Sequence, residues 1–293
     1  MRNIRVLALA LLILVGLPAP GTAWGFEAHR FVMGRVISLL PAEIRPFFER
    51  YRESIVEHSI DPDLWRTAGW LEEPPRHFLD MDAYGPYPFA QIPHVYEEAV
   101  KRYGTEFVLK NGTLPWRAEE FYVKLVEAFT QKAGYSRENI RFFSSVLAHY
   151  ASDAHVPFHS ALNYDGQLTG QWGIHARFES DLFERYRSKL KMAPRPLAPV
   201  PNAREFIFDT LTASFPLVQR VLDADRTAIA GRETYDDTYF TLFFSKAGPI
   251  LEQRLSDAIA GTASLITAAW VEAGRPALAV NPPRTPRKVR RRP

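Results

Sequence analysis

Apolar residues recur at intervals of three and four along most of the chain, which places them on one face of a helix. Pro41 ends the first such segment, and Pro46 suits the first turn of the next. The pattern predicts helices over 30–40, 46–57, 96–103, 116–133, 137–155, 178–190, 203–222 and 243–273. Strand-like alternation bounded by hairpin turns is nearly absent. We therefore expect an all-α fold.

Two segments rich in proline and glycine, 72–93 and 194–201, interrupt the predicted helices. The first contains Arg76-His77-Phe78-Leu79-Asp80, which combines imidazole, aromatic and acidic groups. Loops held by a rigid scaffold often carry functional residues, so we interpret this segment as an active-site loop. No internal repeat is visible, and a single helical domain is predicted, with its C-terminal helices closing the core.

The N-terminal residues are typical of a secretory signal peptide. Two arginines precede an apolar run over 6–17, and prolines follow before the small-residue site Gly21-Thr22-Ala23. The run is shorter than the length that a transmembrane helix usually needs, although an uncleaved membrane anchor is the alternative. We predict a signal peptide over 1–23, so that cleavage makes Trp24 the new N-terminus of a secreted or periplasmic protein.

Charge is unevenly distributed. The chain has a formal net charge of +3, but the leader holds two arginines and the segment 281–293 holds six basic residues. Without them, the body over 24–280 has a net charge of −5. We interpret 281–293 as a basic, Pro/Arg-rich disordered tail. The chain has no cysteine, so an exported protein must be stabilised by its core or by bound metal.

Metal-ligand spacing is the strongest chemical pattern. His149 and Asp153 lie four residues apart on a predicted helix, and Pro157 then lets His159 turn toward the same region. His175 and Glu179 repeat the four-residue spacing. Imidazole and carboxylate groups one helical turn apart are typical of a divalent metal site, zinc above all.

Further candidate ligands lie earlier in the chain. His77 stands in the predicted active-site loop, with Asp63 fourteen residues before it, and His29 follows Trp24 by five residues. Over residues 24–185, these groups resemble the superfamily of zinc-dependent phospholipases C and fungal single-strand-specific nucleases (nucleases S-one and P-one). In that family the mature chain begins with a tryptophan whose amino group and carbonyl oxygen bind zinc, in agreement with the predicted cleavage site.

The resemblance implies three zinc ions. Asp63, His77, His149 and Asp153 would hold one ion, and His159, His175 and Glu179 a second. Trp24 and His29 would hold the third, with Asp153 shared between this ion and the first. Asp61 is a weaker candidate, because Asp63 has the phospholipase-like spacing to His77. Asp80 and Asp82 are candidate acceptors for the outer ring nitrogens of the ligating histidines, and His155 is a non-ligand position in the family.

The resemblance also implies hydrolysis of a phosphodiester by a metal-activated hydroxide, with Asp63 orienting the nucleophile. Arg66 matches an arginine that clamps the phosphate in the nucleases, a task that suits a guanidinium fork; an ordinary surface arginine is the alternative. Trp24-Gly25, Asp63 and Arg66 are nuclease-like. The interval between Asp63 and His77 and the segment Gly173 to Glu179 are phospholipase-like.

The substrate is therefore expected to be a phospholipid, with single-stranded nucleic acid as the alternative. A body charge of −5 provides no broad phosphate-binding surface, although aromatic residues could stack bases. A phospholipase could use the same aromatic residues for peripheral membrane contact. A zinc-binding protein without catalysis is a third interpretation. We expect a monomer.

Overall fold

The computed structural model describes residues 25–130 and 135–280, and within them the protein is all-helical. The helices are α1 (Phe26–Leu39), α2 (Arg45–Arg50), α3 (Arg52–Glu57), α4 (Asp61–Thr67), α5 (Tyr96–Tyr103), α6 (Thr105–Lys110), α7 (Leu114–Phe129), α8 (Ser136–Asp153), α9 (Ile174–Ala176), α10 (Leu182–Tyr186), α11 (Ala203–Ile229) and α12 (Asp237–Glu272). Short 3₁₀ turns cover His58–Ile60, Pro74–His77, Met81–Ala83 and Pro157–Ser160, and a π-helical turn covers Arg177–Asp181. The predicted fold class is confirmed.

The long helices α7, α8, α11 and α12 pack against one another and against α1 around one apolar core. Helix α8 is buried along most of its second half, from Ser144 to Asp153. Side-chain caps begin the two C-terminal helices: Asn202 accepts a hydrogen bond from the Glu205 amide and Asp236 one from the Tyr239 amide. Helix α12 packs against α8, and α11 packs against the 3₁₀ turn Pro157–Ser160 that follows α8, so the two helices support the segment that carries three predicted metal ligands.

Several predicted boundaries are wrong. The segment 46–57 is divided at Tyr51 into α2 and α3, and the short helices α4 and α6 were not predicted. The last two helices run through Pro216 and Pro249 as predicted but are longer than expected, because α11 continues to Ile229 and α12 already begins at Asp237. Packing against the core compensates locally for what an isolated helix would lose at a proline.

The predicted active-site loop is tied to the segment after α8 by backbone hydrogen bonds. The Leu79 amide donates to the His159 carbonyl at 2.9 Å, and the Asp80 amide donates to the Asn111 carbonyl at 2.8 Å. These bonds place His77 beside the C-terminal end of α8. The loop is therefore part of the scaffold of the site.

The predicted signal peptide, Trp24 and the basic tail over 281–293 lie outside the described residues. Within the described part of the chain, none of the helices combines the length and the apolar character that a bilayer span requires.

Candidate metal centre

The C-terminal turn of α8 carries two of the predicted ligands. His149 and Asp153 are buried, and His149 Nε2 lies 3.3 Å from Asp153 Oδ2. The 3₁₀ turn that begins at Pro157 then brings buried His159 to within 3.9 Å of the Asp153 carboxylate. The predicted one-face arrangement thus agrees with the geometry at this end of the helix.

Asp153 stands between residues from distant parts of the chain. Its Oδ2 atom lies 3.0 Å from His77 Nδ1, and its Oδ1 atom lies 3.4 Å from His29 Nε2 on α1. The His29 ring stacks on the His149 ring with centroids 3.9 Å apart. Asp63 is fully buried on α4, with one oxygen 4.0 Å from His77 Nδ1. Four separate segments therefore meet around the end of α8.

The second predicted ligand group is formed by His159, His175 and Glu179. His175 Nε2 lies 3.1 Å from Glu179 Oε2, and His159 Nε2 lies 3.9 Å from the same oxygen. His175 belongs to α9 and Glu179 to the π-helical turn that follows it. Such turns are uncommon and often occur at functional sites.

Three sets of donor atoms among the described residues are close enough to hold a metal ion. Their members lie within 4.8 Å of one another: His29 with Asp63 and His149, His77 with His149 and Asp153, and His159 with His175 and Glu179. The third set contains the three residues predicted to hold the second ion, and the second set contains three of the four predicted for the first ion, without Asp63. His29 is grouped with Asp63 and His149, whereas the resemblance assigned it with Trp24 and Asp153. Since Asp153 Oδ1 is 3.4 Å from His29, the first two sets are contiguous.

The N-terminal amino group predicted to complete the third zinc site belongs to Trp24, outside the described residues. Gly25, the first described residue, is buried at the start of α1. A Cβ atom at Gly25 would lie 2.7 Å from the Oγ atom of Ser180, the residue after Glu179. The described chain thus begins beside the second ligand group, and the Trp24 ligand stays a prediction.

The donor atoms suit a bound cation. Buried polar atoms in proteins are nearly always hydrogen-bonded. Among the described residues, sixteen buried side-chain nitrogen or oxygen atoms have no hydrogen-bond partner, and eight of them belong to the predicted ligands. They belong to His29, Asp63, His77, Asp153, His175 and Glu179. Zinc or a similar divalent ion would satisfy those of these atoms that face the donor sets, and the residue types are those that zinc prefers.

The pKa shifts of the donor residues also favour a bound cation. Burial opposes the charge on His149, but the Asp153 and Asp63 carboxylates outweigh it and raise the pKa of His149 to about 9. Burial, with the negative charges of Asp153 and Asp63 added to it, raises the pKa of Glu179 well above its usual range. Burial lowers the pKa of His175 to about 4 and leaves its imidazole neutral, as a ligand must be. A divalent cation would offset the repulsion among the buried carboxylates.

The outer acceptors differ from those suggested by the sequence. His149 Nδ1 donates to the Ser59 carbonyl at 2.8 Å, and His159 Nδ1 donates to the His77 carbonyl at 2.6 Å. Asp82 instead accepts the Leu162 amide, and Asp80 Oδ1 has no hydrogen bond within the described residues. The interpretation of Asp80 and Asp82 as acceptors for ligand histidines is therefore wrong.

Two buried residues beside the ligands were missed. Glu73 is fully buried and approaches the His77 ring; its position four residues before His77 was a signal that could have been used. Arg177, between His175 and Glu179, is buried and hydrogen-bonds Asp225 and the Trp172 carbonyl. Arg177 thereby links the π-helical turn to α11.

The structure also gives the contacts of Arg66, Asp61 and the histidines outside the donor sets. Arg66 Nη2 donates to Asp63 Oδ1 at 3.1 Å, so the guanidinium lies at the metal centre and not on an open surface. Asp61 pairs with His58 instead, at 2.8 Å. His155 is buried, donates to the Ala151 carbonyl, and belongs to none of the three donor sets. His94 stacks on Phe208 and pairs with Glu205.

A cavity of about 630 Å³ opens over His77, His159 and His175. Six further residues contribute charged or polar groups to its wall: Arg66, Asp80, Lys110, Asn111, Asp165 and Gln167. Its apolar lining consists of Pro74, Phe78, Phe158, Leu162, Tyr164 and Leu168. A ligand in this cavity would therefore meet metal-binding groups at one end and a wall that is mostly apolar in surface, with several charged and polar side chains in it.

Comparison with known proteins supports the fold. The crystal structure of alpha-toxin from an avian strain of Clostridium perfringens is similar, with a TM-score of 0.50 and 14% sequence identity. The match covers 87% of this chain and 65% of the toxin chain, so the present chain spans less than two thirds of that protein. No family model matches the sequence, and no curated protein sequence matches it. The class that fold and site define is thus an all-helical protein with buried groups suited to metal ions.

Proposed function

We propose that this protein is a zinc-dependent hydrolase of phosphodiester bonds, with a phospholipase C-like activity on lipids. The observation that carries the proposal is the convergence of three buried donor sets beneath an open cavity. A purely structural metal site is usually closed, whereas a catalytic site keeps access for substrate. Secretion, three zinc ions with Trp24 as a ligand, and a monomeric enzyme belong to the same proposal.

The residues around the donor sets suit a phosphodiester. Bound zinc ions would lower the pKa of water to make a nucleophile available near neutral pH and would offset the charge of the phosphate. Asp63 would accept a hydrogen bond from the attacking water and orient it. Arg66, held by Asp63, would bind a non-bridging phosphate oxygen. The apolar walls of the cavity would exclude other water.

Apolar cavity walls favour a lipid over a nucleic acid. Most of the surface that lines the space next to the ligands is apolar, and Arg66 and Lys110 are the only arginine and lysine in that lining. A nucleic acid would require a longer row of cationic groups for its phosphates. We therefore expect release of a phosphorylated head group from phosphatidylcholine dispersed in detergent, with single-stranded DNA left intact. Digestion of DNA without turnover of lipid would reverse this choice. Three zinc ions per chain with no turnover of either substrate would favour the non-catalytic interpretation.

Arg66 provides the first variant test. Replacing Arg66 with alanine is expected to lower kcat/KM by about 10–100-fold, the value of one charge-assisted hydrogen bond of roughly 1.5–3 kcal/mol. Arg66→Lys should recover only part of the loss, because lysine lacks the guanidinium fork. Steady-state kinetics on a chromogenic phosphodiester measures both variants. Arg220→Ala, on the exposed side of α11, is the control. If Arg66→Ala has the same kcat/KM as the unchanged protein, Arg66 does not bind the phosphate.

The loop between Leu162 and Gly173 is a candidate for peripheral membrane contact. Leu168 is 69% exposed, Trp172 63% and Tyr164 51%, and two of these residues also line the cavity. Exposed tryptophan, tyrosine and leucine suit the boundary between lipid head groups and acyl chains. A bilayer docked there would lie next to the cavity entrance.

Charge placed in this loop tests the membrane contact. Leu168→Asp is expected to lower hydrolysis of phosphatidylcholine vesicles at least about tenfold, because a carboxylate resists entry into the apolar interface. Turnover of a small water-soluble phosphodiester should fall much less. Val123→Asp, which changes an exposed apolar residue on α7, serves as the control. Equal losses on both substrates would indicate a general defect and contradict the membrane contact.

A further inference from the structure

Glu73 lies four residues before His77 and carries a carboxylate that is packed between His77 and several hydrogen-bond donors. Its side chain is fully buried. Glu73 Oε1 lies 3.6 Å from His77 Nε2, on the side of the ring that faces away from Asp153. The two imidazole nitrogens of His77 therefore face two different carboxylates, one within the donor sets and one outside them.

The orientation of His77 differs from that of its neighbours. His149 and His159 direct Nδ1 to backbone carbonyls, at 2.8 and 2.6 Å, which leaves Nε2 for a metal ion. His77 directs Nδ1 toward the metal centre, with 3.1 Å between this atom and His149 Nε2. Its Nε2 atom has no hydrogen-bond partner, and Glu73 Oε1 is only slightly beyond hydrogen-bonding distance. A shift of a few tenths of an ångström would complete that bond.

Glu73 is surrounded by hydrogen-bond donors that hold its carboxylate in place. The Tyr150 hydroxyl donates to Oε1, and Arg76 Nη1 donates to Oε2 at 2.8 Å. Arg117 Nη2 lies 3.9 Å from Oε2 and its Nε atom donates to the Tyr150 oxygen at 3.2 Å. A buried carboxylate without such partners would be costly. Three elements, the loop, α7 and α8, thus fix this carboxylate next to His77.

We propose that Glu73 is a positioning residue for the metal centre, which accepts the Nε2 proton of His77 and directs Nδ1 to the bound ion. This hydrogen bond selects the tautomer in which Nδ1 has a free electron pair. It also makes the imidazole a stronger donor, since the carboxylate partly withdraws the proton on the opposite nitrogen. Loss of such a partner typically weakens metal binding by roughly 10–100-fold.

The inference rests on metal binding, one part of the proposed function, and is independent of the substrate. Its readouts are zinc affinity and the protonation state of a histidine ring. A protein that binds zinc with the expected ring state but hydrolyses no phosphodiester would support the role of Glu73 and contradict the proposed activity. The two failures are therefore distinguishable.

The first experiment measures zinc binding with a competing chelating indicator. Glu73→Gln keeps the size of the side chain but removes the charge, and the zinc ion that His77 binds is expected to be held at least about tenfold less tightly than in the unchanged protein. Glu72→Gln, at the exposed neighbouring position, is the matched control and should bind as the unchanged protein does. Equal zinc affinities for the two variants would overturn the proposal.

The second experiment begins with the unchanged protein. In zinc-loaded protein labelled with ¹⁵N-histidine, long-range ¹H–¹⁵N spectra report which ring nitrogen carries the proton. We expect His77 to be protonated at Nε2 and metal-bound at Nδ1, and His149 and His159 to be protonated at Nδ1. In Glu73→Gln, the free zinc concentration at which the His77 signals reach half of their change should rise at least about tenfold. The corresponding concentration for the His175 signals should stay unchanged. A His77 ring protonated at Nδ1 would overturn the proposal, even if Glu73→Gln failed to fold.

Discussion

Removal of divalent metal is expected to abolish hydrolysis and to lower the unfolding temperature by at least about 10 °C, the effect of losing one ion. Each ion bound at a concentration of a thousand times its Kd stabilises the folded state by about 4 kcal/mol. In a domain of this size, 1 kcal/mol corresponds to roughly 2–4 °C. Without metal, the buried carboxylates of Asp63, Asp153 and Glu179 repel one another, and the pKa of Glu179 is raised. Calorimetry after dialysis against a chelator, with a parallel activity assay, measures both effects.

Restoration by zinc distinguishes a resident metal from general damage by the chelator. Activity and unfolding temperature should return together as zinc is added, whereas magnesium should restore little, because imidazole ligands suit zinc. The outcome against the proposal is full turnover and an unchanged unfolding temperature in protein that elemental analysis shows to be free of metal.

Asp153→Asn is expected to be the most damaging conservative substitution, with a loss in kcat/KM of at least about a thousandfold. The Asp153 carboxylate lies within 4 Å of four histidines: His29, His77, His149 and His159. An amide keeps the shape of the side chain but removes the negative charge that a bound cation requires. A loss of about 4 kcal/mol in transition-state stabilisation corresponds to a thousandfold in rate.

Asp61→Asn is the matched control for this substitution. Asp61 is an acidic residue close in sequence to the centre, but it pairs with His58 and belongs to none of the donor sets. It should therefore retain nearly full activity and zinc content. Kinetics and elemental analysis on both variants decide the matter, and an Asp153→Asn protein with unchanged zinc content and turnover would contradict a central role for Asp153.

Long, strongly periodic helices were the most predictable part of the fold. Helix α8 was predicted within two residues at each end, because its apolar spacing is continuous and Pro157 stops the chain from continuing. Short helices such as α4 and α6 have too few residues for a periodic pattern, and their stability comes from packing. The same packing carries α11 and α12 through Pro216 and Pro249, which local propensity alone would oppose.

The ligand candidates could be read from residue type and spacing where both members of a pair share a helical turn. His149 with Asp153 and His175 with Glu179 are such pairs. His29, Asp63 and His77 were linked to them only by the family resemblance, since no local rule relates residues so far apart in sequence. Glu73 was missed because an acidic residue in a polar loop is ordinarily exposed, and only the folded chain buries it beneath Arg117 and Tyr150.

The amino-acid sequence by itself determined the helical class, the one-turn ligand pairs and the residue types suited to zinc, because these depend on local periodicity and intrinsic chemistry. Tertiary structure decided which ring nitrogen each histidine presents, which carboxylate lies behind His77, and whether the space above the centre is apolar. Those properties depend on distances between residues far apart in sequence, such as His149 and Ser59, 90 positions apart, or His29 and Asp153, 124 positions apart. Only the packing of α1, α4, the loop and α8 sets those distances.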